Sequence, residues 1–309
     1  MLETTANTDL ASESASAWES LHVYIHDFDK HDHFLQHCVA QFPDDLLSQI
    51  FFVRYWEGGP HVRLRCRLTQ AAGRMDLVSY IESSIQHYLR KNSSVSHLNC
   101  EDFYAQYQRH HSEKTQAIWY PHQSVEKIAY HAETARYGGP LCVRLCEDHF
   151  CWDSSVTLKQ LHKKKSHRHS LAFAYCLVFL EQLQLYSIDS WNLCGIRELH
   201  PDRRTRDLII QHSQQRYAAI KGTLQAQFEQ LKSAESCPDE VQSLRAKLKR
   251  LLPRLHMYSQ APLAGVANSL LHMSFNRLGL SPNEEAQLRY LAVRTFNEDH
   301  SHEDHNSPH

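Results

Sequence analysis

The 309-residue chain sets 33 Lys and Arg against 35 Asp and Glu, a formal net charge of −2, so bulk charge supplies no reason for a nucleic-acid partner. Hydrophobic residues at 42% and charged residues at 22% suit a globular chain with a substantial core, in one large domain or two small ones. Nine cysteines without a CxxC pair and an N-terminus without signal-like basic and apolar regions point to reduced thiols in a cytoplasmic protein, and no apolar run exceeds Leu171 to Leu180, too short for a membrane span.

In chain order, residues 1–17 are small, polar and acidic and read as a disordered leader. Leu21, Val23 and Ile25 alternate with polar neighbours, a strand period. A helical pattern follows from His31 to about Gln41, closed by Pro43. Ile50 to Trp56 and His61 to Leu68 flank Glu57-Gly58-Gly59-Pro60, a strong hairpin signal. Arg74 to Leu89 has helical spacing, and short strands are expected around Ser96 to Leu98 and Gln116 to Tyr120.

From Gly138 onward the pattern turns helical, with helices expected near 140–151, 168–184, 203–233, 239–257, 262–278 and 283–297. Gly279 can close one helix, and Ser281-Pro282-Asn283-Glu284 opens the next as a capping box. The His, Asp and Glu tail at 298–309 is expected to be disordered, which leaves one domain over 18–297.

Three stretches carry chemistry. In Pro60-His61-Val62-Arg63-Leu64-Arg65-Cys66-Arg67-Leu68, alternation puts Val62, Leu64 and Cys66 on one strand face and His61, Arg63, Arg65 and Arg67 on the other. Such a row is either a solvated charged face or an anion site, for which Arg forks suit a carboxylate. In Glu133-Thr134-Ala135-Arg136-Tyr137-Gly138-Gly139, Glu133 and Arg136 are three apart, so the carboxylate can orient the guanidinium or form a plain local ion pair. In Ser269 to Gly279, His272 and Asn276 share one face of a largely apolar helix, as core polar residues or as part of a site. Tight Cys/His spacing for zinc, a P-loop, a dinucleotide glycine fingerprint and a GxSxG elbow are all missing.

Together and in this order, the stretches resemble the C-terminal, glutamate-elimination domain of class I lanthipeptide dehydratases, a module shared with the thiopeptide-type bacteriocin biosynthesis family. The matching pieces are Trp18 with the first strand, Phe51-Phe52-Val53-Arg54-Tyr55, Pro60-His61-Val62-Arg63-Leu64-Arg65, Glu133 with Arg136-Tyr137-Gly138-Gly139, and His272-Met273 with Asn276-Arg277, over roughly Trp18 to Phe296.

The resemblance implies an α+β fold, with a central, mainly antiparallel sheet and packed helices in the N-terminal half and a largely helical C-terminal half. It implies a lyase that expels glutamate from glutamylated Ser or Thr of a ribosomally made precursor peptide. Arg63, Arg65, Glu133, Arg136 and His272 are the implied catalytic set, with His61, Arg54, Tyr137, Asn276 and Arg277 as substrate contacts. No metal or organic cofactor is implied. The domain that glutamylates from glutamyl-tRNA is not among the matching pieces, so the expectation is a stand-alone form with a separate glutamylation protein and no direct tRNA use. A homodimer is compatible with the sequence. Two other readings stay open: a thiopeptide pyridine synthase, which joins two dehydroalanines and releases the leader, and a non-catalytic scaffold binding the leader by strand addition.

Overall fold

The computed structural model describes residues 17–68, 74–108, 118–200, 202–233 and 235–305. The chain forms two compact units, Met1–His97 with Ile118–His131, and Leu98–Ala117 with Ala132–His309. The fold class is α+β, with the sheet in the first unit and a helical second unit.

In the first unit, β1 (Ala17–Tyr24), β2 (Ile50–Tyr55), β3 (His61–Leu68) and β4 (Val125–Lys127) make one antiparallel sheet in the order β2-β3-β1-β4. The hairpin expected from Gly58-Gly59 is present, and its register sets Tyr55 opposite His61 and Ile50 opposite Cys66. Both glycines have positive φ, and a Cβ on Gly59 would lie 2.9 Å from His26 Nε2, so side chains are excluded twice over.

Alternation then sorts the faces. Leu21 and Val23 of β1 and Val62, Leu64 and Cys66 of β3 are buried on one face. Helix α1 (Asp29–His37) reaches that side, and α2 (Arg74–Lys91) joins it through an edge contact between Phe34 and Tyr88. The pattern expected to run to Gln41 is broken at Cys38 and continues as a 3-10 turn, Val39–Gln41.

Among the described residues, neither short strand expected here forms. Ser96–Leu98 has no ladder partner among the described residues, and Gln116 and Ala117 lie outside them. Ile118–Tyr120 instead wraps the hairpin turn, with Tyr120 N donating to Gly58 O (2.9 Å), and β4 takes the free edge of β1.

The second unit contains α3 (Cys100–Gln108), α4 (Pro140–Gln160), α5 (Lys165–Gln184), α6 (Arg203–Lys232), α7 (Asp239–Tyr258), α8 (Leu263–Arg277) and α9 (Pro282–His305). The apolar run Leu171–Leu180 is the buried middle of α5, against which α7, α8 and α9 pack.

Two helices exceed their expected ends. α4 continues past 151 because Asp153, a weak helix former, is held by buried partners on α8. α9 continues past 297, where Glu298 and Asp299 meet Lys221 and Lys232 of α6. The α8–α9 junction follows the expected chemistry: Gly279 has φ +72°, Ser281 N donates to Glu284 Oε2 (2.9 Å), and Glu284 N donates back to Ser281 Oγ (3.3 Å). Among the described residues, no helix is long and apolar enough to cross a membrane.

Candidate functional site

On β3, His61, Arg63, Arg65 and Arg67 share the face opposite Val62, as alternation requires. Each guanidinium lies over an aromatic ring: Arg63 over Tyr55 at 3.5 Å from its centroid, Arg65 over Tyr130 at 4.4 Å, Arg67 over Trp18 at 4.9 Å. A ring face attracts a cation without neutralising it.

The imidazoles beside this row are neutral. His61 is fully buried; its Nδ1 donates to Gly59 O (2.7 Å), leaving Nε2 to accept from Arg63 Nε (3.2 Å). Burial, reinforced by Arg63 and Arg65 and opposed by the Gly59 hydrogen bond, pushes His61 down to about 4. His22, stacked on His61 at 4.9 Å, is pushed down to about 2 by burial, then by its neighbours His61, Arg63 and Arg65. This face therefore carries a constant positive charge through neutral pH.

Arg54 does not join the row. It lies opposite Val62 in the register, so its side chain leaves by the other face, where it pairs with Asp32 at 2.5 Å.

In the second unit, Glu133, Arg136 and His272 form a second cluster. Arg136 NH1 donates to Glu133 Oε2 (3.0 Å) and Nε donates to Ser269 Oγ (3.1 Å), which ties it one turn before His272 on α8. Burial opposes the Arg136 charge, but Tyr137, Glu133 and Glu285 outweigh it and raise its pKa. His272, 36% exposed, points Nδ1 at Glu285 Oε2 (2.9 Å), while Glu285 is only 2% exposed. The other carboxylate oxygen, Oε1, is 2.6 Å from Arg289 NH2, and Arg289 NH1 donates to Asn268 Oδ1 (2.9 Å).

Tyr137 and Arg277 serve the interior. Tyr137 is buried edge-on to Phe150, and burial pushes its hydroxyl above the usual range. Arg277 is fully buried, with NH1 donating to Asp153 Oδ2 (2.8 Å). Asn276 lies one turn after His272 and is partly exposed.

Sequence reasoning missed Glu285, Arg289, Asp153 and Ser269. Glu285 and Arg289 had a legible signal: they are four apart and Glu285 interrupts the stripe continued by Leu288, Ala292 and Phe296. Asp153 had none, because its partner is distant in sequence. No group of three or more His, Cys, Asp or Glu among the described residues is arranged to hold a metal ion.

A sheet carrying a ring-stacked arginine row and a helical unit carrying a carboxylate-held histidine define an α+β class. The chain belongs to the family described as "Lantibiotic biosynthesis dehydratase C-term", whose pattern matches residues 18–296. Solved structures share the fold at low identity. The pyridine synthase TbtD from thiomuracin biosynthesis is 18% identical, with a TM-score of 0.69 over 92% of this chain and 99% of that one. TsrL is 15% identical, with a TM-score of 0.64 over 93% of this chain and 96% of that one. The tRNA-dependent lantibiotic dehydratase MibB from Microbispora sp. 107891 is 17% identical, with a TM-score of 0.59 over 94% of this chain but only 29% of that one. No curated protein sequence matches.

Proposed function

We propose that the chain is a lyase that eliminates glutamate from glutamylated Ser or Thr of a ribosomally made precursor peptide, leaving dehydroalanine or dehydrobutyrine. The observation that carries this reading is His272: a half-exposed imidazole whose Nδ1 is taken by a buried carboxylate. That is a proton-transfer arrangement, which a leader-binding scaffold has no use for.

The chemistry suits the groups. Hydroxide leaves poorly from Ser or Thr, whereas an esterified glutamate leaves as a carboxylate whose conjugate acid has a pKa of about 4. What remains is loss of the α-proton and stabilisation of the enolate-like charge on the adjacent carbonyl. In the first unit Arg63 and Arg65 are the cations for that charge and the glutamyl carboxylates; in the second unit Arg136, held by Glu133, is a further cation and His272 is the group that moves the proton. His61 holds Arg63, and Asn276 contacts the substrate beside His272. Arg54, Tyr137 and Arg277 act through their neighbours. A separate glutamylation protein supplies the ester, and the reaction itself requires no metal, organic cofactor or tRNA.

A second reading, pyridine formation from two dehydroalanines with leader release, draws on the likeness to TbtD over nearly the full length of both chains. Mass spectrometry separates the two. With a glutamylated peptide, elimination lowers the mass by one glutamic acid per site; with a dehydroalanine-rich peptide, pyridine synthesis frees the leader.

A further inference from the structure

We infer that Glu285 is a positioning residue: its buried carboxylate holds the proton of His272 on Nδ1, so that Nε2 is the nitrogen that works on substrate. This rests on the elimination reading and adds to it a residue and an atom.

The geometry carries it. An ionised carboxylate only accepts hydrogen bonds, so the 2.9 Å contact from His272 Nδ1 to Glu285 Oε2 requires the proton on Nδ1. Nε2 is then left with its lone pair. Glu285 is itself fixed, because Arg289 NH2 lies 2.6 Å from Oε1 and both residues are 2% exposed. Arg289 is anchored in turn: NH1 donates to Asn268 Oδ1 and to Leu193 O, and NH2 donates to Asn268 O. A Cβ at Gly195 would lie 2.5 Å from Arg289 NH1, so the glycine leaves room for this anchor.

The elimination step then balances. The lone pair of Nε2 takes the α-proton, the C–H electrons become the Cα=Cβ bond, and the Cβ–O bond breaks with its pair departing on glutamate. Glu285 keeps accepting from Nδ1–H while the ring carries positive charge, as a buried carboxylate does for an imidazolium elsewhere. Released into solvent, the ring proton returns to water and Nε2 is restored.

The test combines kinetics with nitrogen NMR on the full chain. In Glu285→Gln, kcat for glutamate release is expected to fall at least about 100-fold with KM changed less than about threefold. The ¹⁵N spectrum of His272 in the wild-type protein should show a protonated Nδ1 and a bare Nε2, a bias lost in the variant. Because Glu285→Gln strands the Arg289 charge, Glu285→Gln/Arg289→Met is measured beside it and should show the same kcat loss once folded. A variant kcat within about twofold of wild type, or a wild-type ring protonated on Nε2, overturns the assignment. If the wild-type protein releases no glutamate, the elimination reading fails, and the ring spectrum alone then supports or overturns the Nδ1 lock.

Discussion

Arg277 of α8 donates to Asp153 of α4 across 2.8 Å, and neither side chain has any exposed surface. Phe150 closes the guanidinium from one side at 4.8 Å, and Ser274 Oγ donates to the same carboxylate oxygen at 3.0 Å. Breaking a buried pair leaves an uncompensated charge, at a cost of about 3–5 kcal/mol. Arg277→Ala is therefore expected to lower unfolding free energy by about that much in urea titrations. Asp153→Leu/Arg277→Met should lie closer to wild type than either single variant.

The arginine row predicts a different signature. Arg65→Ala should retain the wild-type melting temperature within a few degrees and let glutamylated peptide accumulate, with kcat down about 100-fold. Arg65→Lys keeps the charge but loses the planar fork over Tyr130, and should recover only part of that loss. Full dehydration by Arg65→Ala would remove this residue from the site.

Acid lability follows from buried histidines, His31, His61 and His149 among them. Burial pushes His31 and His149 down to about 3 and His61 to about 4, while each titrates near 6.5 when unfolded. As pH falls below 6.5, the unfolded chain binds protons that the folded chain refuses. Stability is thus complete above about 6.5 and is lost as pH falls, down to about 4 for His61 and about 3 for His31 and His149, by up to about 1.4 kcal/mol per pH unit for each histidine. Melting temperatures measured at pH 7, 6 and 5 should decline steadily.

His149 isolates one share of that effect. It is fully buried on α4, and neither ring nitrogen has a hydrogen-bond partner among the described residues. Replacing a desolvated, unsatisfied ring by an apolar one of similar size should help, by about 1 kcal/mol at neutral pH. His149→Phe is expected to melt higher than wild type and to flatten the acid decline; a lower melting temperature at pH 7 would contradict this.

Much of the first unit was legible because its signals are local. Gly58-Gly59 marks the hairpin, and strand alternation alone separates Val62, Leu64 and Cys66 from the arginines. The same alternation, carried across the turn in register, places Arg54 on the wrong face for the row, a step that needs the pairing of Tyr55 with His61. β4 escaped because three residues at a sheet edge, none of them fully buried, leave no periodic trace. In the second unit the α8–α9 boundary was readable from Gly279, Ser281 and Glu284. Glu285 was masked by its neighbour: next to a capping Glu284, a second acid looks like ordinary first-turn charge, and only packing against His272 and Arg289 gives it a role.

The most direct measurement of the central claim is mass spectrometry of a synthetic precursor peptide bearing glutamyl esters on Ser and Thr, incubated with the purified chain and no tRNA. Loss of one glutamic acid per ester with dehydroamino acids formed is expected, and its abolition in His272→Ala. An unchanged ester mass with folded wild-type protein, or full elimination by His272→Ala, would contradict it.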